Sequence, residues 1–285
     1  MLVASIAVFL TLEWWLWPDV CLTFEAEHDG FFSSALDLIT TGKLHSQGAP
    51  LGPFALHHGP VLYLVLALPM LVSTSLSWLH LTFLLSASAA AIVLYRAFGR
   101  RASPAAAAFV IFCALSSYFA HEFSRQLWHS SLLPFPIAGL LLATIRLGEL
   151  GRLRDGLIAA ALAGFMVQLH VQSAVYVPLV LGVALIQRKA LGWRGVALGV
   201  AVFFAVSSPM WLGFFAQAGA EVGSQFSEQG VKSGGFIADP LVVVTFLIEA
   251  VTPVWGPALA PGLGVPIFLL GLWGLLVAIR ERVVA

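Results

Sequence analysis

Residues 195–212 read GVALGVAVFFAVSSPMWL and residues 131–145 read SLLPFPIAGLLLATI, and neither stretch contains a charged side chain. Of all 285 residues, 60% are hydrophobic and 10% are charged, with a mean hydropathy of +0.95. Soluble domains carry roughly 25% charged residues. A chain with so few charges is stable in a lipid bilayer. Only helices or closed barrels pair every backbone N–H and C=O group in the bilayer core. Because the alternation of barrel strands is missing, we predict an all-α polytopic integral membrane protein.

The apolar blocks have the length that a membrane-crossing helix needs, which is about 20 residues. The blocks that qualify or nearly qualify are 2–18, 77–97, 104–120, 131–147, 156–171, 172–187, 194–212, 240–256 and 264–280. The N-terminus lacks the basic region of a signal peptide, so 1–18 is expected to be a retained helix. We therefore predict one transmembrane domain over 1–285, with about eight to ten crossings.

The charges between these blocks separate by sign. Three short connections hold nine of the 14 basic residues, namely Arg96, Arg100, Arg101, Arg146, Arg152, Arg154, Arg188, Lys189 and Arg194. Short loops rich in Lys and Arg remain in the cytoplasm. The connections with acids and histidines are then outside, and the two long ones are outer loops at 19–58 and 213–239. The net charge is zero, which gives no reason to expect a nucleic-acid partner.

This topology constrains the segment 59–74, which is short for a crossing and contains Pro69. If 19–58 is outside and Arg96 is inside, an odd number of crossings must separate them. The block 77–97 supplies one crossing. We therefore expect 59–74 to be a re-entrant or interfacial segment.

Three acids follow the first helix closely, in the sequence EAEHD at 25–29. Their spacing places Glu25 and Asp29 on one helical face, or Glu25, Glu27 and Asp29 on one face of a strand. Carboxylates such as Asp29 and Glu27 could bind a divalent cation, Mg²⁺ or Mn²⁺, through oxygen. A carboxylate among like charges could instead take a proton from a hydroxyl group. A solvated acidic loop is the third interpretation, and spacing alone favours it.

Histidines mark the ends of two apolar blocks. His57 and His58 are adjacent and do not share a helical face, so they suit contact with a phosphate better than a two-ligand metal site. A polar entry to a helix explains them equally well. Gln168, His170 and Gln172 straddle a short outer turn and could face a cavity at the membrane surface, although a histidine that caps a helix end is the simpler interpretation.

Arg125 lies in the stretch SRQLWH at 124–129, as the only basic residue of that outer connection. A guanidinium group is well shaped for bidentate contact with phosphate. An ion pair with Glu122 is the alternative. His129 ends the same stretch and is a second candidate for binding a phosphate.

The order of these motifs resembles the GT-C superfamily of membrane glycosyltransferases, which includes protein O-mannosyltransferases and the aminoarabinose lipid A transferase. The resemblance covers roughly 19–182. It rests on EAEHDGFFSSALDLITTGKLHSQGAPLGPFALHHGPVLYLVLALP at 25–69, SRQLWHSSLLP at 124–134 and QLHVQSAVYVPLVL at 168–181. A first helix, an outer loop with acids and an apolar segment with a proline-containing entry form the shared pattern.

The resemblance implies an enzyme that transfers a sugar from a polyprenyl-phosphate donor to a hydroxyl of a lipid, glycan or protein acceptor. The transfer would be inverting, on the outer face of a bacterial inner membrane, with Asp29 as the base or a metal ligand. No cofactor beyond such a divalent cation is implied. Two other classes stay open on the residues alone: a lipid or solute transporter and a non-catalytic assembly subunit.

Overall fold

The computed structural model describes residues 2–15, 26–45, 50–51, 54–57, 59–101, 103–115 and 129–218. Within these ranges the regular structure is helical apart from one antiparallel two-stranded ribbon. Two helices, Leu76–Gly99 and Arg188–Leu212, are long and apolar enough to cross a membrane. The predicted all-α membrane architecture is therefore confirmed for the described residues. The full number of crossings remains a prediction, since the blocks 240–256 and 264–280 lie outside the described residues.

The helices are α1 Leu2–Trp15, α2 Ala26–Thr41, α3 Val61–Met70, α4 Leu76–Gly99, α5 Pro104–Leu115, α6 Pro134–Leu150, α7 Leu153–Leu169, α8 Tyr176–Ile186 and α9 Arg188–Ala218, which is kinked at Gly192. The ribbon pairs β1 Pro50–Leu51 with β2 Phe54–His57. Short 3₁₀ helices at His129–Leu132 and Val171–Val175 precede α6 and α8. The predicted outer loop 19–58 thus contains a helix and a ribbon, and α9 extends to Ala218, beyond the predicted boundary at 212.

The three basic connections meet at one end of the bundle, which we call the basic end. Arg101, after α4, forms a bidentate ion pair with Glu149 of α6, with both N–O distances at 2.5 Å. The Gln187 side chain donates to the carbonyl of Gly148 at 2.5 Å. A Cβ added to Gly151 would lie 2.7 Å from the Cβ of Ala190. Three cytoplasmic connections must share one side of the membrane, and these connections contact one another here.

The opposite end, which we call the outer end, contains the C-terminus of α7 and the N-terminus of α4. Helix α3 joins these two places: Gly59 donates to the carbonyl of Gln168 at 2.9 Å, and Trp78 Nε1 donates to that of Pro69 at 2.8 Å. Its ten residues extend about 15 Å, half of the hydrocarbon thickness. Both ends of helix α3 therefore lie at the outer end, and the interfacial position of 59–74 stays a prediction.

The main core lies in the outer half of the bundle. There α2 and α3 pack against α4, α6, α7 and α8 through residues such as Phe32, Leu66 and Phe83. A second cluster joins α1, α4 and α5 around Phe9 and Ile111. The exterior is apolar as well; the side chains of Leu68 and Val72, for example, are 65% and 73% exposed. An apolar exterior of this kind is stable in lipid rather than in water.

Candidate outer-end active site

The contact between Gly59 and Gln168 fixes the entry to α3. The Gly59 N–H donates to the Gln168 carbonyl, and a Cβ added to Gly59 would lie 2.6 Å from Gln168 Oε1 and 2.7 Å from Gln168 Cβ. Real side chains do not approach so closely, so only glycine fits. Strand β2 ends at His57, two residues before Gly59, so this contact brings the end of β2 close to the C-terminus of α7.

Gln168 connects this entry to α9. Its side chain is 1% exposed, and Nε2 donates to the carbonyl of Val206 at 2.5 Å. Its Oε1 is buried without a hydrogen bond among the described residues and rests against Gly59. Strand β2 also lies against α9. Gln168 thus packs inside the bundle, where its amide joins the C-terminus of α7 to α9.

His170 caps α7 at the same place. Its backbone is extended, its N–H donates to the Met166 carbonyl at 2.8 Å, and its own carbonyl accepts from Ser173 at 2.9 Å. The following 3₁₀ turn reverses the chain into α8 within five residues. His170 is partly buried, two residues from the Gly59 contact. The structure therefore brings the His57 segment and His170 to one place at the outer end.

The acids Glu27 and Asp29 occupy the first turn of α2, where the structure describes the backbone. Helix α2 packs on α3, and a hydrogen bond joins Ser34 to Tyr63. Asp29 precedes Ser34 by five residues, or about 7.5 Å along the helix. Tyr63 in turn follows Gly59 by four residues. The acidic turn thus lies on the element that covers the entry to α3, at the outer end.

Tyr63 and His45 are residues of this region that the sequence did not single out. Burial raises the pKa of Tyr63, and the hydrogen bond with Ser34 partly offsets this effect, so the phenol stays protonated at neutral pH. The rings of His45 and Tyr63 meet edge to face at 6.1 Å, and His45 Nε2 lies 3.3 Å from Asp37 Oδ2. These contacts span 8 residues for His45–Asp37 and 18 for His45–Tyr63, and no spacing pattern signals them.

The structure describes less of the other candidate site residues. His129 begins the 3₁₀ helix before α6, a segment that contacts α4, α6 and α7. Glu25, His58 and Arg125 lie outside the described residues. Among the side chains that the structure describes, no group of three or more His, Cys, Asp or Glu residues could hold a metal ion. The proposed cation ligands, Asp29 and Glu27, are not among those side chains.

Comparison with known proteins gives one match. A family model described as dolichyl-phosphate-mannose-protein mannosyltransferase matches residues 57–212, more than half of the chain. No curated protein and no solved structure matches the chain. The matched region begins at His57 and ends in α9, so it includes the Gly59–Gln168 contact, His129 and His170, whereas the acids of α2 precede it. The resemblance to GT-C enzymes is confirmed, and the chain belongs to the dolichyl-phosphate-mannose-protein mannosyltransferase family of membrane glycosyltransferases.

Proposed function

We propose that this glycosyltransferase moves a sugar from a polyprenyl-phosphate donor to a hydroxyl of a lipid, glycan or protein acceptor, with inversion, at the outer end of the bundle. The observation that carries the proposal is the gathering of α2, the His57 segment and His170 around the Gly59–Gln168 contact, opposite the basic end. We place the protein in a bacterial inner membrane, with the basic end in the cytoplasm, because short basic loops are retained there.

The reaction needs a base and a site for a leaving phosphate. The acceptor oxygen attacks the anomeric carbon from the face opposite the phosphate, and the bond between that carbon and the phosphate oxygen breaks. The polyprenyl phosphate leaves with the electron pair, and the hydroxyl proton passes to a carboxylate. We assign this carboxylate to Asp29, with Glu27 and Glu25 as neighbouring charges that raise its basicity.

The phosphate gains negative charge as it leaves, so donors fixed near it lower the barrier. We assign these donors to His57, His58, Arg125, His129 and His170. Arg125 offers a planar fork for two phosphate oxygens. The histidines come from three separate parts of the chain, and the Gly59–Gln168 contact supports the grouping of two of those parts.

The register of α2 distinguishes the two acids whose backbone is described. Position 27 lies one turn before the buried Phe31, whereas position 29 lies one turn before the exposed Ser33. Position 27 thus continues the helix face that packs on the bundle. If that face also meets the acceptor, Glu27 is the base, and this is the second assignment that the experiment must separate from the first.

The experiment is a transfer assay with purified variants and a polyprenyl-phosphate-mannose donor. Asp29→Asn should lower kcat by about 100-fold or more, the usual scale for lost general-base assistance. Asp37→Asn is the matched control on the same helix; Asp37 is exposed, and a surface pair with His45 contributes little to stability, so transfer should be unchanged. A greater loss in Glu27→Gln than in Asp29→Asn would move the base to Glu27.

A metal role is tested in the same assay. Removal of divalent cations with EDTA should abolish transfer if Asp29 and Glu27 hold Mg²⁺ or Mn²⁺, and either ion should restore it. Transfer that persists in EDTA would exclude a bound metal ion and leave the carboxylates as the base and its neighbouring charges. Full activity in well-folded proteins with all three acids amidated would remove the base from this turn, whereas a well-folded wild-type protein without any transfer would favour an assembly or transport role.

A further inference from the structure

A groove between α7, α8 and α9 lies apart from the outer-end site. It has a volume of about 220 Å³, and its 15 lining residues are all Leu, Val, Ala, Gly or Phe. On α7 it extends from Leu153 to Ala163, or about 15 Å along the helix. Lining side chains such as Phe204 and Leu181 are 54% and 39% exposed, so the groove opens on the exterior. Its chemistry suits a hydrocarbon chain.

Basic side chains flank the end of this groove that lies at the basic end. Arg152 directly precedes the lining residue Leu153 and is exposed. Arg188 follows the lining residue Ala184 by one turn and precedes Leu191 by three residues. Its Nη1 donates to the Leu185 carbonyl at 3.2 Å, which holds the guanidinium group at the end of α8. Arg154, Lys189 and Arg194 are exposed on the same connections.

The acids of these connections do not neutralise that charge. The three basic connections contain two acids, Glu149 and Asp155. Glu149 pairs with Arg101, and Asp155, whose side chain is 4% exposed, pairs with Arg146 at 3.4 Å. Both acids are thus paired with arginines other than Arg152 and Arg188, the two that flank the groove. An excess of positive charge remains at the mouth of an apolar groove.

We infer that this groove is a binding site for an anionic phospholipid of the cytoplasmic leaflet. An acyl chain would lie along α7, α8 and α9, and the headgroup phosphate would meet Arg152 and Arg188. Basic pockets between membrane helices on the cytoplasmic side bind anionic lipid headgroups. The proposal is independent of the outer-end chemistry, because the arginines stand at the opposite end of the bundle from His170.

The test compares phosphatidylglycerol with phosphatidylcholine of identical acyl chains, each titrated onto the purified full-length protein in neutral detergent and measured by native mass spectrometry. Phosphatidylglycerol should bind at least tenfold more tightly. The double variant Arg152→Gln/Arg188→Gln should weaken its binding by roughly 30-fold, from about 1 kcal/mol for each basic residue near a headgroup. The matched control Arg96→Gln/Arg100→Gln removes the same charge at the same end, at the C-terminus of α4, and should change binding less than threefold.

The apolar half is tested by filling the groove. A Cβ added to Gly199, which lines the groove, meets nothing within 4 Å, so Gly199→Leu should fold and should weaken binding of both lipids at least tenfold. Gly182→Leu, equally open but outside the lining, is its control. Equal affinity for the two lipids, an equal loss in the Arg96/Arg100 control, or displacement of phosphatidylglycerol by equimolar polyprenyl phosphate would overturn the proposal.

Discussion

The substitution Gly59→Ala tests the contact on which the outer-end site depends. The new Cβ would lie 2.6–2.9 Å from three atoms of the Gln168 side chain, and one of them, Cβ, belongs to the rigid base of that side chain. Overpacking of this kind costs about 1–3 kcal/mol. If the segment moves away, the hydrogen bond from Gly59 to the Gln168 carbonyl is lost as well, at about 1 kcal/mol. The expected destabilisation is therefore about 2–4 kcal/mol.

Thermal unfolding in detergent provides the assay, and the apparent Tm should fall by about 5–15 °C. Sugar transfer should fall with it even below the unfolding range, because the end of β2 at His57 moves with the Gly59 backbone. Gly182→Ala is the matched control: nothing lies within 4 Å of its added Cβ, and alanine favours the helix by up to about 1 kcal/mol. A Gly59→Ala protein with unchanged Tm and unchanged transfer would refute the placement of α3 against α7.

Three further predictions concern the two ends of the bundle. Arg101→Glu should destabilise the protein by about 1 kcal/mol, and the swap Arg101→Glu/Glu149→Arg should restore most of the loss in the same unfolding assay; no recovery would argue against their pairing. Arg146→Leu should cost more, about 3 kcal/mol or above, because it leaves the buried Asp155 carboxylate uncompensated, and an effect no larger than that of Arg101→Leu would contradict this burial. In a protein without native cysteines, a cysteine at position 100 should react with an impermeant maleimide only from the cytoplasm and one at position 33 only from outside; labelling of position 100 from outside would make 59–74 a true crossing.

The sequence predicted the membrane architecture well because its signals are local. Long apolar blocks and the sign of the connecting charges depend on composition, and the blocks 77–97 and 156–171 correspond to helices at Leu76–Gly99 and Leu153–Leu169. Charge parity, the short length of 59–74 and its Pro69 together predicted that this segment does not cross. The structure has a ten-residue helix there, with both ends in contact with the same end of the bundle, and the absence of a crossing stays a prediction.

The site was less predictable because its contacts are long-range. Gly59 and Gln168 are more than 100 residues apart, and nothing in their local sequence announces their fit. Gln168 looked like a residue that faces a cavity, yet its amide joins two helices. His45 and Tyr63 carried no motif and meet only because α2 folds back on α3. Asp29, Glu27 and Arg125 remain predictions, since their side chains are outside the described part of the chain.

The proposed sugar transfer is tested by following both products of the reaction with the purified protein in proteoliposomes. Supplied with polyprenyl-phosphate-mannose and an acceptor hydroxyl on the outer face, the protein should release one polyprenyl phosphate for each glycosidic bond formed. The anomeric configuration of the product should be opposite to that of the donor. Transfer from a nucleotide sugar alone would contradict the polyprenyl-phosphate donor, and a product with retained configuration would contradict the inverting reaction.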